Sequence, residues 1–232
     1  MISSHKKLIF STLLVLLSIS IAATCSDSFT YTPQNSVIVF DLHDVVFDFD
    51  YSKARTSFCK LKNKGNFIGK VLKYLFTGKK KRKCIESYVL DNTTDPSNIL
   101  PALNPHIPNQ AVIKIIQELK ALNYQVYICS NIGEQSYQYM QNLYPEVFAL
   151  FDGYYISSAS QGYLKKNNPQ FFTQTANLID THASLLPEKI ILIDNERANL
   201  KLAQTTSSRF VGLFFKNAIQ IRKKLRKLGL DL

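Results

Sequence analysis

Five polar positions in this 232-residue chain stand where short apolar runs stop. Asp41 follows Val37–Phe40, Ser130 and Asn131 follow Gln125–Cys129, and Asp194 and Asn195 follow Ile190–Ile193. Two lysines, Lys165 and Lys166, lie in a polar stretch between the second and third of these endings. A carboxylate can act as a nucleophile, a second can help hold a cation, a hydroxyl can hold an oxyanion, and a lysine can neutralise developing charge. Together they are the residue types that phosphoryl transfer requires. A lone acid after an apolar run is more often a helix cap or a turn residue. Three such endings together with a lysine are harder to explain that way.

These residues converge only if the runs are strands of one sheet. The runs are strand-length and rich in Val, Ile, Phe and Tyr, as are Tyr154–Ile156 and Phe210–Phe215. Between them, Ala111, Val112, Ile115, Ile116 and Leu119 recur at helical spacing after Pro108, which is placed near a helix start. Residues 134–143, 169–179, 196–206 and 217–228 also read as helices. Strand and helix alternation predicts a doubly wound α/β fold with a parallel sheet, whose sites lie at the carboxyl ends of the strands. Residues 36–50 and 109–232 form this core, and residues 51–108 interrupt the alternation as an insertion. From Tyr51 to Ile85 the insertion holds twelve basic residues and no acidic one. Removing those twelve leaves 16 basic against 17 acidic residues, so they account for the chain's net charge of +11.

Four segments in this order resemble the motifs of the haloacid dehalogenase-like hydrolase superfamily, the aspartate-nucleophile phosphatases. Val37-Ile-Val-Phe-Asp-Leu-His-Asp-Val-Val46 is similar to its first motif, Asp-x-Asp-Gly-Thr/Val after a strand. Val126-Tyr-Ile-Cys-Ser-Asn131 resembles the second, and Gly162-Tyr-Leu-Lys-Lys-Asn-Asn-Pro-Gln-Phe-Phe172 the third, in a register that selects Lys166 over Lys165. Ile190-Ile-Leu-Ile-Asp-Asn-Glu-Arg-Ala-Asn199 resembles the fourth, Asp-Asp-x-x-x-Asn. The likeness spans Ser36 to about Phe215, and the insertion stands where the family's helical C1 cap belongs. It implies Asp41 as nucleophile and Ser130, Asn131 and Lys166 on the phosphate. It also implies Mg²⁺ held by Asp41, Asp194 and the backbone carbonyl of His43. Two departures stand out. His43 replaces the family's acid/base aspartate, with Asp44 following where Gly is usual, and Asn195 replaces the second acid of the fourth motif. A histidine with a pKa of ~6.5 can still give and take a proton. Asp44 then reads as orienting His43, and Asn195 as ordering the surrounding shell.

With 46% hydrophobic residues, 12% aromatics, 8 Gly and 8 Pro, the chain is neither disordered nor low in complexity. Residues 1–28 show basic, apolar and small-polar segments in the order of a secretory signal, which predicts export, with a retained membrane anchor as the alternative. Four cysteines are too few for a disulfide scaffold; Cys59 and Cys84 could pair, and Cys129 reads as a buried thiol. Asn92-Thr93-Thr94 is a formal glycosylation sequon. In the insertion, Phe67, Ile68, Val71, Leu72, Leu75 and Phe76 recur at helical spacing, which suits packing of a cap on the core or binding to an anionic membrane surface. Nothing points to specific nucleic-acid binding. Two functions follow. One is an exported Mg²⁺-dependent phosphomonoesterase acting on a small phosphorylated substrate. The other is a catalytically degenerate member of the fold that binds a membrane surface or protein partner through its basic cap.

Overall fold

In the computed structural model the described residues are 29–62 and 100–232. The elements run β1 (Ser36–Phe40), β2 (Phe47–Phe49), α1 (Tyr51–Lys62), α2 (Leu100–Leu103), β3 (His106–Pro108), α3 (Gln110–Ala121) and β4 (Val126–Gly133). They continue with α4 (Glu134–Leu143), α5 (Pro145–Phe148), β5 (Gly153–Ser157), α6 (Pro169–His182), β6 (Lys189–Asp194), α7 (Arg197–Thr206), β7 (Phe210–Phe214) and α8 (Ala218–Lys227). Five of the strands form one sheet in the order β5-β4-β1-β6-β7, every pair parallel. This is the expected α/β architecture. β1 lies at its centre, flanked by the two strands that carry the other polar residues, with β4 continuing through Ser130 and Asn131 to Gly133.

The period of two along each strand decides which helices cover which face. Ile38, Phe40, Val126, Ile128, Ile191 and Ile193 point to one side, where Val112, Ile115, Ile116 and Leu119 of α3 and Ile221 and Leu225 of α8 meet them. Val37, Val39, Tyr127, Cys129, Ile190 and Leu192 point to the other, against Phe171, Phe172 and Ile179 of α6 and Leu200 and Ala203 of α7. With apolar residues on both faces, the central strands have no solvated side, which is why they read as continuous apolar runs.

Cap chemistry sets where the helices begin. Asn109 accepts from the Val112 amide at 3.2 Å at the start of α3, and Asn168 accepts from the Gln170 amide at 3.0 Å, with Pro169 opening α6. Pro108 stands just before the Asn109 cap, near the helix start as expected. It also closes β3, which pairs antiparallel with β2 in the register Phe47↔Pro108, Asp48↔Ile107 and Phe49↔His106. This small sheet ties together the chain where it leaves and re-enters the core, and α1 packs against α2 beyond it. The amphipathic stretch from Phe67 to Phe76, the basic run 79–83, the Cys59–Cys84 pairing, the Asn92 sequon and the signal-like residues 1–28 all lie outside the described residues.

Leu192 is fully buried on β6, whereas Ile219 of α8 is 72% exposed. Leu192→Ala is expected to cost about 2–5 kcal/mol in urea denaturation and Ile219→Ala well under 1 kcal/mol. Equal costs would contradict the sheet assignment.

Candidate active site

Strand register brings the predicted residues together. Phe40 of β1 pairs with Ile128 of β4 on one side and with Ile193 of β6 on the other. Asp41 and Asp194 therefore stand at the same level at the ends of adjacent strands, and Ser130 lies in β4 one residue farther on. The Asp41 amide still donates to the Ile193 carbonyl at 2.9 Å, which locks the two acidic segments side by side. The β4–β5 register shifts between Ser130 and Gly133, and Asn131 lies in that irregularity.

A single cation joins the two acids. Lys166 Nζ lies 2.9 Å from Asp41 Oδ1 and 2.7 Å from Asp194 Oδ2. Lys166 is 1% exposed and Asp194 is fully buried. Burial opposes the charge on this lysine. Asp41 and Asp194, with Cys129 beside them, outweigh burial and hold the ammonium above its ordinary range. The structure selects Lys166 over Lys165, which lies nearer the surface and whose carbonyl receives the Asn168 amide.

Each group of the triad is held in turn. Leu42 N–H donates to Asp41 Oδ1 at 2.7 Å, and among the described residues Asp41 Oδ2 accepts no hydrogen bond. Glu196 N–H donates to Asp194 Oδ1 at 2.7 Å, and Asn199 Nδ2 donates to both oxygens of Asp194 at 3.1 and 3.2 Å. The residue that orders Asp194 is thus Asn199, in the first turn of α7, and Asn195 makes no hydrogen bond to it. The asparagine five residues after Asp194 was visible as the last position of the fourth motif. Asn131 Oδ1 accepts from the Lys166 amide at 2.8 Å, so its carbonyl oxygen positions the lysine loop. Ser130 Oγ is buried without a hydrogen-bond partner, the state of a hydroxyl that an incoming oxyanion would satisfy.

The turn after Asp41 shows why position 44 favours glycine. Asp44 has φ 58°, its amide donates to the Phe47 carbonyl at 2.8 Å, and Leu42 O accepts from Phe47 N at 2.9 Å. Aspartate is among the few side chains that tolerate the left-handed region. Its carboxylate makes no hydrogen bond to His43, so the expectation that it orients that ring is corrected. His43 stacks instead on His106 of β3, with centroids 4.4 Å apart and planes at 30°. His43 Nε2 and His106 Nδ1 are both buried without partners. Burial, with Lys166 nearby, pushes His43 down to about 4. Burial, then His43, pushes His106 down to about 4 against the opposing pull of Asp44. Cys129 is the expected buried thiol, pushed up to about 12 by burial.

No family model matches the chain. Solved structures do. A haloacid dehalogenase family enzyme from Bacteroides thetaiotaomicron shares 19% identity at a TM-score of 0.55, over 78% of this chain and 94% of that one. The wild-type form of that enzyme in complex with magnesium and inorganic phosphate aligns at 0.53 with 18% identity, over the same shares. An L-2-haloacid dehalogenase aligns at 0.55 with 14% identity, over 85% of this chain and all of that one. In sequence, a sesquiterpene phosphatase from Aspergillus oryzae is 27% identical over 121 residues, 52% of this chain and 57% of its own length. The match thus spans little more than half of that relative. The chain has the fold of the haloacid dehalogenase-like hydrolases.

Two expectations follow from the electrostatics. Lys166→Met leaves two carboxylates without their shared cation and should cost about 3–5 kcal/mol in urea denaturation. Adding Asp41→Asn should return part of that loss, read as the coupling term of a double-mutant cycle. His43 and His106 are neutral in the fold down to about 4, whereas in the unfolded chain each titrates near 6.5. The unfolded state binds more protons in that window, so stability present above pH 6.5 is lost as pH falls toward 4. His106→Phe should shrink the difference between denaturation midpoints at about pH 7 and about pH 5. An unchanged difference would contradict the neutral stack.

Proposed function

We propose that this protein is a Mg²⁺-dependent phosphomonoesterase that works through an aspartyl-phosphate. The observation that carries this reading is the bridging of Asp41 and Asp194 by Lys166 at 2.9 and 2.7 Å, at the carboxyl ends of adjacent parallel strands. Such a centre has one carboxylate to attack, one to help bind a cation, and an ammonium to offset the charge of the phosphoryl group.

The donor set fits a divalent cation. Two carboxylates and one ammonium leave the centre with a formal charge of −1. Hard oxygen donors, with one or two carboxylates and remaining positions open to water and phosphate, are what Mg²⁺ takes. Asp41, Asp194 and the backbone carbonyl of His43 would hold it. When bound, it would supply Lewis-acid stabilisation of the phosphoryl oxygens. The solved relative in complex with magnesium and phosphate supports this choice.

The chain's own residues then divide the work. Asp41 Oδ2 attacks phosphorus, and the bond to the leaving alcohol oxygen breaks. Ser130 Oγ donates to a phosphoryl oxygen, and Lys166 keeps the negative charge balanced as it shifts. With Nε2 of His43 sealed, Nδ1 is the ring atom placed to exchange a proton. An anionic phosphoester beside the ring favours its protonated form, so His43 gives a proton to the leaving oxygen. It then takes one from the water that cleaves the aspartyl-phosphate. The sequence likeness to a phosphatase supports phosphoester hydrolysis over dehalogenation. The signal-like order of residues 1–28 supports an exported protein.

Protein lacking residues 1–25 should hydrolyse an aryl phosphate with Mg²⁺ and stop when EDTA is added. Asp41→Asn should abolish turnover. His43→Ala should lower kcat by about 10²–10⁴-fold while His43→Asp, the residue usual in the family, keeps most of it. Turnover that survives Asp41→Asn, or folded protein inactive on a broad phosphoester panel with Mg²⁺, would overturn the proposal.

A further inference from the structure

A line of aromatic rings leads from the nucleophile's turn to solvent. His43 stacks on His106 at 4.4 Å, His106 meets the edge of Phe49 at 5.5 Å, and Phe49 meets Tyr51 edge-to-face at 4.8 Å. The β2–β3 register makes Phe49 and His106 direct cross-strand partners, so backbone pairing holds the middle of the line in place. His43 is half-buried and His106 is 8% exposed, and the outer rings open to solvent, Phe49 at 39% and Tyr51 at 81%. A ring cluster that served only to fill the core would close at its outer positions, whereas this one opens.

Two of the neighbouring carboxylates are committed to hydrogen bonds, and the exposed Asp44 acts on His106 electrostatically. Asp48 Oδ1 accepts from Asn109 Nδ2, and Asp50 Oδ1 accepts from the amides of Ser52 and Lys53 and from the Ser52 hydroxyl. The His106 carbonyl accepts from the Tyr144 hydroxyl, and one nitrogen of each imidazole is sealed. The line thus presents carbon and ring surface, with few free hydrogen-bonding groups for a polyhydroxylated ligand. On the phosphatase reading, which this inference rests on, the leaving oxygen sits beside His43. The organic part of the substrate begins where the line begins.

We propose that His43, His106, Phe49 and Tyr51 seat the alcohol portion of the substrate, and that this portion is an apolar, unsaturated or aromatic hydrocarbon. Ring contacts of this type favour flat π surfaces and discriminate against sugars and polyols, which would lose water hydrogen bonds without replacement. Phe49 and Tyr51 are the specificity-determining positions, because their exposed faces are free to meet a ligand.

The test compares two alkyl phosphoesters of similar chemical reactivity, 2-phenylethyl phosphate and glycerol 1-phosphate, in wild type, Phe49→Ala and Tyr51→Ala. Wild type should show the lower KM for the phenylethyl ester. Each substitution should reduce that preference by about 2- to 10-fold, the worth of one ring contact. Phe49→Tyr should preserve it. A binding arm separates this inference from the phosphatase reading. The non-hydrolysable phosphonates of the same two alcohols are titrated calorimetrically into wild type and Phe49→Ala with Mg²⁺. Tighter binding of the phenylethyl phosphonate, weakened by Phe49→Ala, supports the aromatic seat even if no ester is turned over. Equal affinities, or a loss in Phe49→Ala that is the same for both compounds, would overturn it even if both esters are hydrolysed.

Discussion

A buried ammonium between two carboxylates sets the terms for the rest of this molecule. Taking three charges out of water is expensive, and the arrangement survives only where each is met at hydrogen-bond distance. Lys166 meets Asp41 and Asp194, and the remaining valences of Asp194 are filled by Asn199 and the Glu196 amide. That requirement explains why two acidic segments more than 150 residues apart leave adjacent parallel strands at the same level. It also explains why Asn131 lies in a strand irregularity, where its side chain fixes the lysine loop. The centre carries a formal charge of −1 and hard oxygen donors.

The sheet supplies rigidity, and the segment after β1 brings a second imidazole beside the site. Apolar residues on both faces of β1, β4 and β6 leave these strands little freedom to shift, so the residues at their ends inherit fixed positions. The three-residue β2–β3 pairing then returns the chain beside the site and delivers His106 against His43. His43 is therefore held against a second imidazole two residues after Asp41.

How much of this was legible in the sequence depended on the range of the interaction. The five core strands and five of the long helices follow from local periodicity, because a strand buried on both faces is apolar throughout and an amphipathic helix repeats its stripe. Asp41, Ser130 and Asp194 were legible as strand endings, and Lys166 through its motif register. The β2–β3 pairing was not, since three-residue strands 57 positions apart carry no periodicity and are held by register alone. His106 was hidden for the same reason. Asn199 outranked Asn195 because helix geometry in α7, and not proximity in sequence, turns a side chain back toward Asp194. Asp44 misled because its type suggested a partner for histidine, whereas its backbone angle is what the turn uses.

The central claim is that Asp41 becomes covalently phosphorylated. The most direct measurement is acid-quenched peptide mass spectrometry of the protein mixed with excess phosphoester and Mg²⁺, followed over the first turnovers. The account predicts a phosphate adduct on the peptide containing Asp41, formed and lost in step with turnover. Turnover without an adduct on that residue, or an adduct on another residue, would contradict it.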